Sequence, residues 1–174
     1  MKGSAIIQKD VSDSVPAYVA HLVQFYRTVY GLADWDVVYD LHDDPAGDGS
    51  ALGMAYVHAR YRTARLVFHR ETVHTDPVLT AHIVHHEMFH VVLGLLVESA
   101  TTIIDGLVKP NYRAHARDVL EQGLEATIEL TTRALDATMQ GLDTYPSYDA
   151  DSSEIAWSHE ETVEQEPHIS DDTA

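Results

Sequence analysis

The residues that decide the fold are His86-Glu87-Met88-Phe89-His90, inside a long apolar segment that follows Asp76 and Pro77. An acidic residue followed by proline is typical of a helix start. The acid caps free backbone N–H groups, and proline suits the first helical position. We therefore predict a helix from Asp76-Pro77 to about Glu98. Histidines four residues apart on a helix lie on one face, about one turn apart.

His86 and His90 lie in the middle of the apolar face of this predicted helix. The apolar residues that enclose them, within about 80° of one another on the helix surface, are Leu79, Ile83, Leu93 and Val97. The second half of the helix is apolar nearly all round, which indicates a buried central helix. Buried imidazole and carboxyl groups need partners, because an unpaired one costs about 1–3 kcal/mol. A metal ion satisfies them together; two separately hydrogen-bonded core histidines are the plainer alternative.

The composition limits which metal ligands are available. The chain has 174 residues, twelve of them histidine and none cysteine, so a zinc ion must be held by His, Asp or Glu. His86 and His90 supply two ligands. Glu87 lies about 100° round the helix, where it can act as a general base on water instead of binding the metal. His82 and His85 are predicted not to be ligands.

A catalytic zinc usually takes a third protein ligand, and here that ligand must come from another part of the chain. Leu93 and Leu96 stand where one known extension of the motif would place a glycine and a third histidine. The candidates are therefore carboxylates of a later helix, predicted from about Tyr112 to Gln140. His115 and His74 stay open as rival ligands.

That later helix carries Glu121, Glu125 and Glu129, each one turn after the last. Its apolar residues centre closest to Glu121, so Glu121 is predicted to point inward as the third ligand. Glu125 lies one turn on, where it can hydrogen-bond a ligand histidine and fix its tautomer, although its order relative to Glu121 stays open. Glu129 is predicted to face solvent.

The remaining elements predict an α+β domain. The segment 14–30 has apolar residues at helical spacing, and the segments 35–41, 52–60 and 64–70 are β-branched or aromatic and predict three strands. The order is a helix, a small three-stranded sheet, the buried histidine helix and the long glutamate-bearing helix. We predict one domain over residues 1–146, followed by an acidic, disordered tail over residues 147–174.

The net charge of −17 opposes binding to nucleic acid and to anionic membranes, because phosphate contacts need Lys and Arg. The apolar run near the N-terminus, with Ile6 and Ile7, is too short for a signal peptide, and no transmembrane helix is expected. These features predict a cytoplasmic or virion-associated protein.

His86-Glu87-Met88-Phe89-His90, followed by Glu121-Gln122-Gly123-Leu124-Glu125 on a later helix, resembles the gluzincin branch of the zincin metallopeptidases. The resemblance spans about residues 35–140 and extends to the small zincin-like proteins predicted in phage and bacterial genomes. It implies His86, His90 and Glu121 as zinc ligands, Glu87 as general base and Glu125 as the support of a histidine. It also implies that an edge strand, here residues 64–70, binds extended peptide by strand addition.

Three hypotheses follow from these residues. The first is a zinc metallopeptidase that acts on a peptide or protein substrate through a zinc-activated water. The second is a catalytically silent zincin-fold structural or interaction protein, such as a phage virion component within a larger assembly. The third is a metal-free helical binding protein with an accidental motif. The counterpart of the residue that stabilises the transition-state oxyanion is not identifiable, although Tyr112, Arg113 and His115 lie in a suitable region.

Overall fold

A computed structural model describes residues 17–139 and Pro146. The helices are α1 (Ala17–Val29), α2 (Arg70–Thr75), α3 (Pro77–Leu107) and α4 (Arg113–Met139), and the strands are β1 (Asp36–His42), β2 (Gly53–His58) and β3 (Thr63–His69). Over these residues the protein is α+β with one three-stranded sheet, which confirms the predicted fold class. The predicted tail, residues 147–174, and the first three residues of the predicted N-terminal helix lie outside the described residues.

The sheet has the strand order β1-β3-β2, with β1 parallel and β2 antiparallel to β3. The prediction of residues 64–70 as the edge strand was therefore wrong, because β3 is paired on both sides. The physical reason is visible in Leu66-Val67-Phe68, which is buried throughout, as expected of a strand covered on both faces. The edge strand that packs against α3 is β2.

The long helix α3 begins where the sequence predicts. The Asp76 side chain accepts a hydrogen bond of 2.9 Å from the backbone N–H of Leu79, and Pro77 occupies the first turn. The predicted end at Glu98 was wrong, since the helix continues to Leu107 before Val108 turns to extended backbone. Residues 95–107 are exposed or half-buried, so their sequence has no clear apolar periodicity although they are helical.

The first half of α3 forms the centre of the core. Val84, Met88 and Val91 are fully buried, between α1 on one side and the sheet on the other. The helix α4 packs along a further face of α3 and leaves an open cleft between itself and β2. This arrangement puts the histidine motif at the floor of the cleft.

Two glycines allow β2 to approach α3 closely. A Cβ atom at Gly53 would lie 2.6 Å from both Glu87 Oε1 and Ile83 Cγ2, and one at Gly94 would lie 2.6 Å from Val57 Cγ1. Contacts this short are sterically forbidden, so the absence of a side chain at Gly53 and Gly94 sets the distance between strand and helix. Gly94 in the middle of α3 thus has a packing role.

By its length and composition, α3 could also cross a membrane. Among the residues that the structure describes, no other helix meets this test. A core helix of a globular domain passes the same test, and the first half of α3 is packed against α1, the sheet and α4. The length and composition of α3 are therefore weak evidence for a membrane span.

Candidate metal centre

The cleft between β2, α3 and α4 has a volume of about 920 Å³. Six residues considered in the sequence analysis line its walls, and they are His86, Glu87, His90, Glu121, Glu125 and Glu129. The helix α3 contributes the histidines and the motif glutamate from one side, and α4 contributes the other three carboxylates from the facing side. Predicted residues far apart in sequence therefore share one cleft.

The two motif histidines and Glu125 form a tight triangle of ligand-type atoms. Nε2 of His86 lies 3.3 Å from Nε2 of His90. The Glu125 carboxylate lies 3.3 Å from Nε2 of His86 through one oxygen and 3.3 Å from Nε2 of His90 through the other. Among the described residues, these three form the group of His, Asp and Glu side chains able to hold one metal ion.

The dimensions and chemistry of this triangle suit a zinc ion. Zinc binds imidazole nitrogen and carboxylate oxygen at about 2.0–2.1 Å in tetrahedral geometry, so neighbouring ligand atoms lie about 3.3 Å apart. The two Nε2 atoms lie at that distance from each other, and each lies at that distance from one of the two Glu125 oxygens, with one ligand atom of each residue within 4.8 Å of the others. Two histidines and one carboxylate also form a known catalytic donor set that leaves a fourth position for water.

The geometry favours Glu125, rather than the predicted Glu121, as the third ligand. Glu121 lines the same cleft one turn earlier and is exposed, but its carboxylate is not part of the triangle. The rival ligands His74 and His115 are exposed and lie outside the group as well. The structure therefore places Glu125 and Glu129, one turn further along α4 than Glu121 and Glu125, beside the ring nitrogens of the motif histidines.

Glu129 has a contact that the sequence did not predict. Its Oε2 lies 3.3 Å from Nδ1 of His86, and its Oε1 pairs with Arg133 at 2.5 Å. When Nδ1–H of His86 donates to this carboxylate, the lone pair of Nε2 faces the triangle, which is the tautomer that a metal needs. Desolvation of Glu129 is outweighed by the charges and hydrogen bonds of His82 and Arg133, which together lower its pKa.

The apolar residues of α4 alone give the wrong position for its buried face, because polar residues of α4 are buried as well. Thr132 is fully buried and Asp136 is 8 % exposed, on the same face as Ile128. Including Thr132 and Asp136 turns the centre of the buried face by about 70° toward Glu125 and Glu129. The available sequence signal was the spacing of Glu125, Glu129, Thr132 and Asp136, which recurs every three or four residues.

Glu87 lies beside the triangle in a nearly closed environment. Its side chain is 5 % exposed and packs against the backbone of Gly53 in β2. Burial, and then the negative charge of Glu125, raise the pKa of the Glu87 carboxyl to about 8. A carboxyl with a pKa near neutral pH in a cleft is suited to accept and return a proton.

The two motif histidines are buried to nearly the same extent, and burial shifts the titration of His90. Burial lowers the pKa of its imidazole, the charge of Glu125 opposes that effect, and His86 adds to the lowering. The neutral imidazole is therefore favoured, and neutral imidazole is the form that binds a metal. As predicted, His82 and His85 are outside the ligand triangle; both hydrogen-bond to Asp136.

No protein-family model, curated protein or solved structure matches this chain significantly. The function is therefore inferred from the geometry of the cleft. Tyr112, Arg113 and His115, suggested for the oxyanion, do not line it.

Proposed function

We propose that the protein is a zinc-dependent metallopeptidase of the zincin type, with His86, His90 and Glu125 as zinc ligands and Glu87 as general base. The observation that carries this proposal is the convergence of His86 Nε2, His90 Nε2 and the Glu125 carboxylate, in which the two nitrogens lie 3.3 Å apart and each lies 3.3 Å from one carboxylate oxygen. A triangle of this size is expected of three ligands of one tetrahedral zinc ion. If His86 and His90 were only hydrogen-bonded core residues, one carboxylate would not need to lie close to both Nε2 atoms.

A zinc ion held there would supply the Lewis acidity that polarises a peptide carbonyl and acidifies a water molecule. The Glu87 carboxylate then accepts the proton of the attacking water at an Oε atom and returns it to the leaving amine. The close contact of Glu87 with Gly53 fixes the carboxyl and excludes bulk water from one side. The Glu129 carboxylate, 3.3 Å from Nδ1 of His86, would orient this ring.

The substrate class proposed is an extended peptide segment. Residues 50–55, which include the start of β2, line the cleft, and β2 pairs with β3 along one edge only among the described strands. A sheet edge presents unpaired N–H and C=O groups that an added strand can use. Such a peptide would pass the triangle with its backbone along β2.

The test combines metal analysis with a cleavage assay on an unstructured protein. We expect about one zinc ion per chain in the wild type and in Glu87→Gln, and cleavage by the wild type alone. Zinc at full occupancy without cleavage by the wild type would refute the peptidase and leave a metal-binding protein. Absence of zinc at neutral pH, together with no thermal stabilisation by added zinc, would refute the metal centre itself.

A further inference from the structure

A buried carboxylate, Asp136 of α4, joins two histidines of α3. Its Oδ2 lies 2.7 Å from Nδ1 of His82, and its Oδ1 hydrogen-bonds to Nδ1 of His85. Asp136 is 8 % exposed and His85 is fully buried, so their hydrogen bond is shielded from solvent, whereas the bond to His82 is partly shielded. Two hydrogen-bonding arms therefore leave this carboxylate, one toward the cleft and one toward the core.

The arm toward the cleft ends on the proposed ligand His86. Nε2 of His82 lies 3.3 Å from Oε2 of Glu129, and the same oxygen lies 3.3 Å from Nδ1 of His86. A glutamate on a helix surface has several rotamers, and fixing it costs side-chain entropy. His82 restricts the Glu129 carboxylate at the oxygen that meets His86.

The arm toward the core ends on Tyr30, directly after α1. The Tyr30 hydroxyl hydrogen-bonds to Nε2 of His85, and the His85 ring stacks on Tyr26 at a centroid distance of 4.3 Å. Burial and the charge of Asp136 raise the pKa of Tyr30 to about 12, so its hydroxyl keeps its proton and donates. His85 therefore accepts at Nε2 and donates from Nδ1 to Asp136, which leaves the other carboxylate oxygen for His82.

We propose that His82 and Asp136 are positioning residues of the metal centre, which hold Glu129 against Nδ1 of His86 and thereby aim Nε2 of His86 at His90 and Glu125. This inference rests on the proposed metal centre. The chain Asp136–His82–Glu129–His86 supplies an unbroken line of contacts to one ligand, whereas the Tyr30 arm ends in the core. The two arms share a carboxylate but have different expected effects on metal affinity.

The test compares one variant on each arm, using the full chain and zinc alone as the probe. In His82→Leu, Glu129 loses a partner, and we expect the Kd for zinc to rise about ten-fold, the scale typical of residues that support metal ligands. The absorption spectrum of the cobalt-substituted protein should change with it. His82→Gln retains a side-chain amide donor near the position of Nε2 and should recover part of the affinity. Tyr30→Phe should lower the melting temperature and leave the Kd for zinc unchanged.

A second variant protects the test against misfolding. Asp136→Asn keeps the shape of the side chain and removes its charge, and it should raise the Kd in the same way if His82→Leu does not fold. A Kd within about two-fold of wild type in folded His82→Leu or folded Asp136→Asn would overturn this inference and leave the metal centre intact. A wild-type protein that binds no zinc would overturn the metal centre first, so the two failures are distinguishable.

Discussion

Nε2 of His86 and Nε2 of His90 lie 3.3 Å apart, one helical turn from each other, and both meet the carboxylate of Glu125. His86 is positioned to donate from Nδ1 to Glu129, so its Nε2 presents a lone pair to this junction. Ligand-type atoms from two helices thus converge on one point. A cation bound at that point would link α3 to α4 and fix the orientation of the two rings.

The first prediction separates Glu125 from Glu121. We expect Glu125→Gln to weaken zinc binding by at least about 100-fold, because it removes an anionic ligand from a three-residue set. Glu121→Gln should change the Kd for zinc by less than about three-fold, since its carboxylate is outside the triangle. Competition with a chromophoric chelator at neutral pH measures both values.

These two variants are matched controls for each other, since they make the same chemical change one turn apart on α4. Strong loss of zinc in Glu121→Gln with retention in Glu125→Gln would restore the ligand order that the sequence predicted. Loss in neither would show that the histidines and Glu125 do not share an ion.

The sequence was informative where a local rule acts within one element. Asp76 and Pro77 predicted the start of α3, and the four-residue spacing predicted that His86 and His90 share a face. It failed where the answer depends on how elements pair. The assignment of β3 as an edge strand was wrong because strand order is a long-range property, although the buried run Leu66-Val67-Phe68 already indicated a central strand.

The third ligand illustrates the same limit. Glu121 and Glu125 lie one turn apart along α4 and about 40° apart around it, so choosing between them requires the position of α4 along α3 as well as its rotation. Apolar residues alone indicate that rotation only when the buried face is apolar. Here Asp136 is buried against His82 and His85 of the facing helix, and Thr132 is buried with its hydroxyl donating to the Ile128 carbonyl of α4 itself. A pattern of apolar residues therefore does not identify the buried polar residues that line such a site.

The second prediction concerns Glu87 in the metal-free protein. Its pKa is about 8 in the fold, against an ordinary value of 4.5. Between those values the folded chain keeps a proton that the unfolded chain has lost, so the stability contributed by the protonated carboxyl is full below pH 4.5 and lost as pH rises through 8. We expect Glu87→Gln to be more stable than wild type at pH 8 by roughly 1–3 kcal/mol, and by much less at pH 5.

Urea unfolding in excess chelator at several pH values measures this difference. Comparing two proteins at each pH removes the effect of His90, whose lowered pKa acts in the opposite direction in both. Glu121→Gln, whose side chain is exposed, is the control. A stability difference for Glu87→Gln that stays constant from pH 5 to 8 would contradict the burial of an ionisable Glu87.

The third prediction uses two glycines of the same helix. Gly94→Ala should destabilise the protein by about 1–3 kcal/mol, because the new Cβ would lie 2.6 Å from Val57 Cγ1 and 3.3 Å from Ala59 Cβ. Gly106→Ala meets nothing within 4 Å, so its higher helix propensity should stabilise the protein by about 0.5–1 kcal/mol. Opposite shifts in melting temperature are expected, and equal shifts would mean that β2 does not approach α3 at Gly94.

The last prediction links the β2 strand to the general base. A Cβ at Gly53 would lie 2.6 Å from Glu87 Oε1 and 2.9 Å from Glu87 Cγ, so Gly53→Ala must displace this side chain. Because the general base acts only when it is held in place, we expect kcat/KM for peptide cleavage to fall about 10–100-fold. Zinc affinity should hold, since Gly53 is not among the residues of the triangle. Gly123→Ala, which meets nothing within 4 Å, is the control for a Gly-to-Ala change near the cleft.

A double-mutant comparison identifies which contact is responsible. Removing the glutamate side chain in Glu87→Ala deletes two of the three atoms that an alanine at position 53 would meet, and leaves Ile83 Cγ2. The destabilisation caused by Gly53→Ala should therefore be smaller in the Glu87→Ala background than in the wild type, by about 0.5–3 kcal/mol, a range typical of residues in contact. Strictly additive effects would show that Glu87 does not pack against the start of β2, and the strand would then have no part in holding the base.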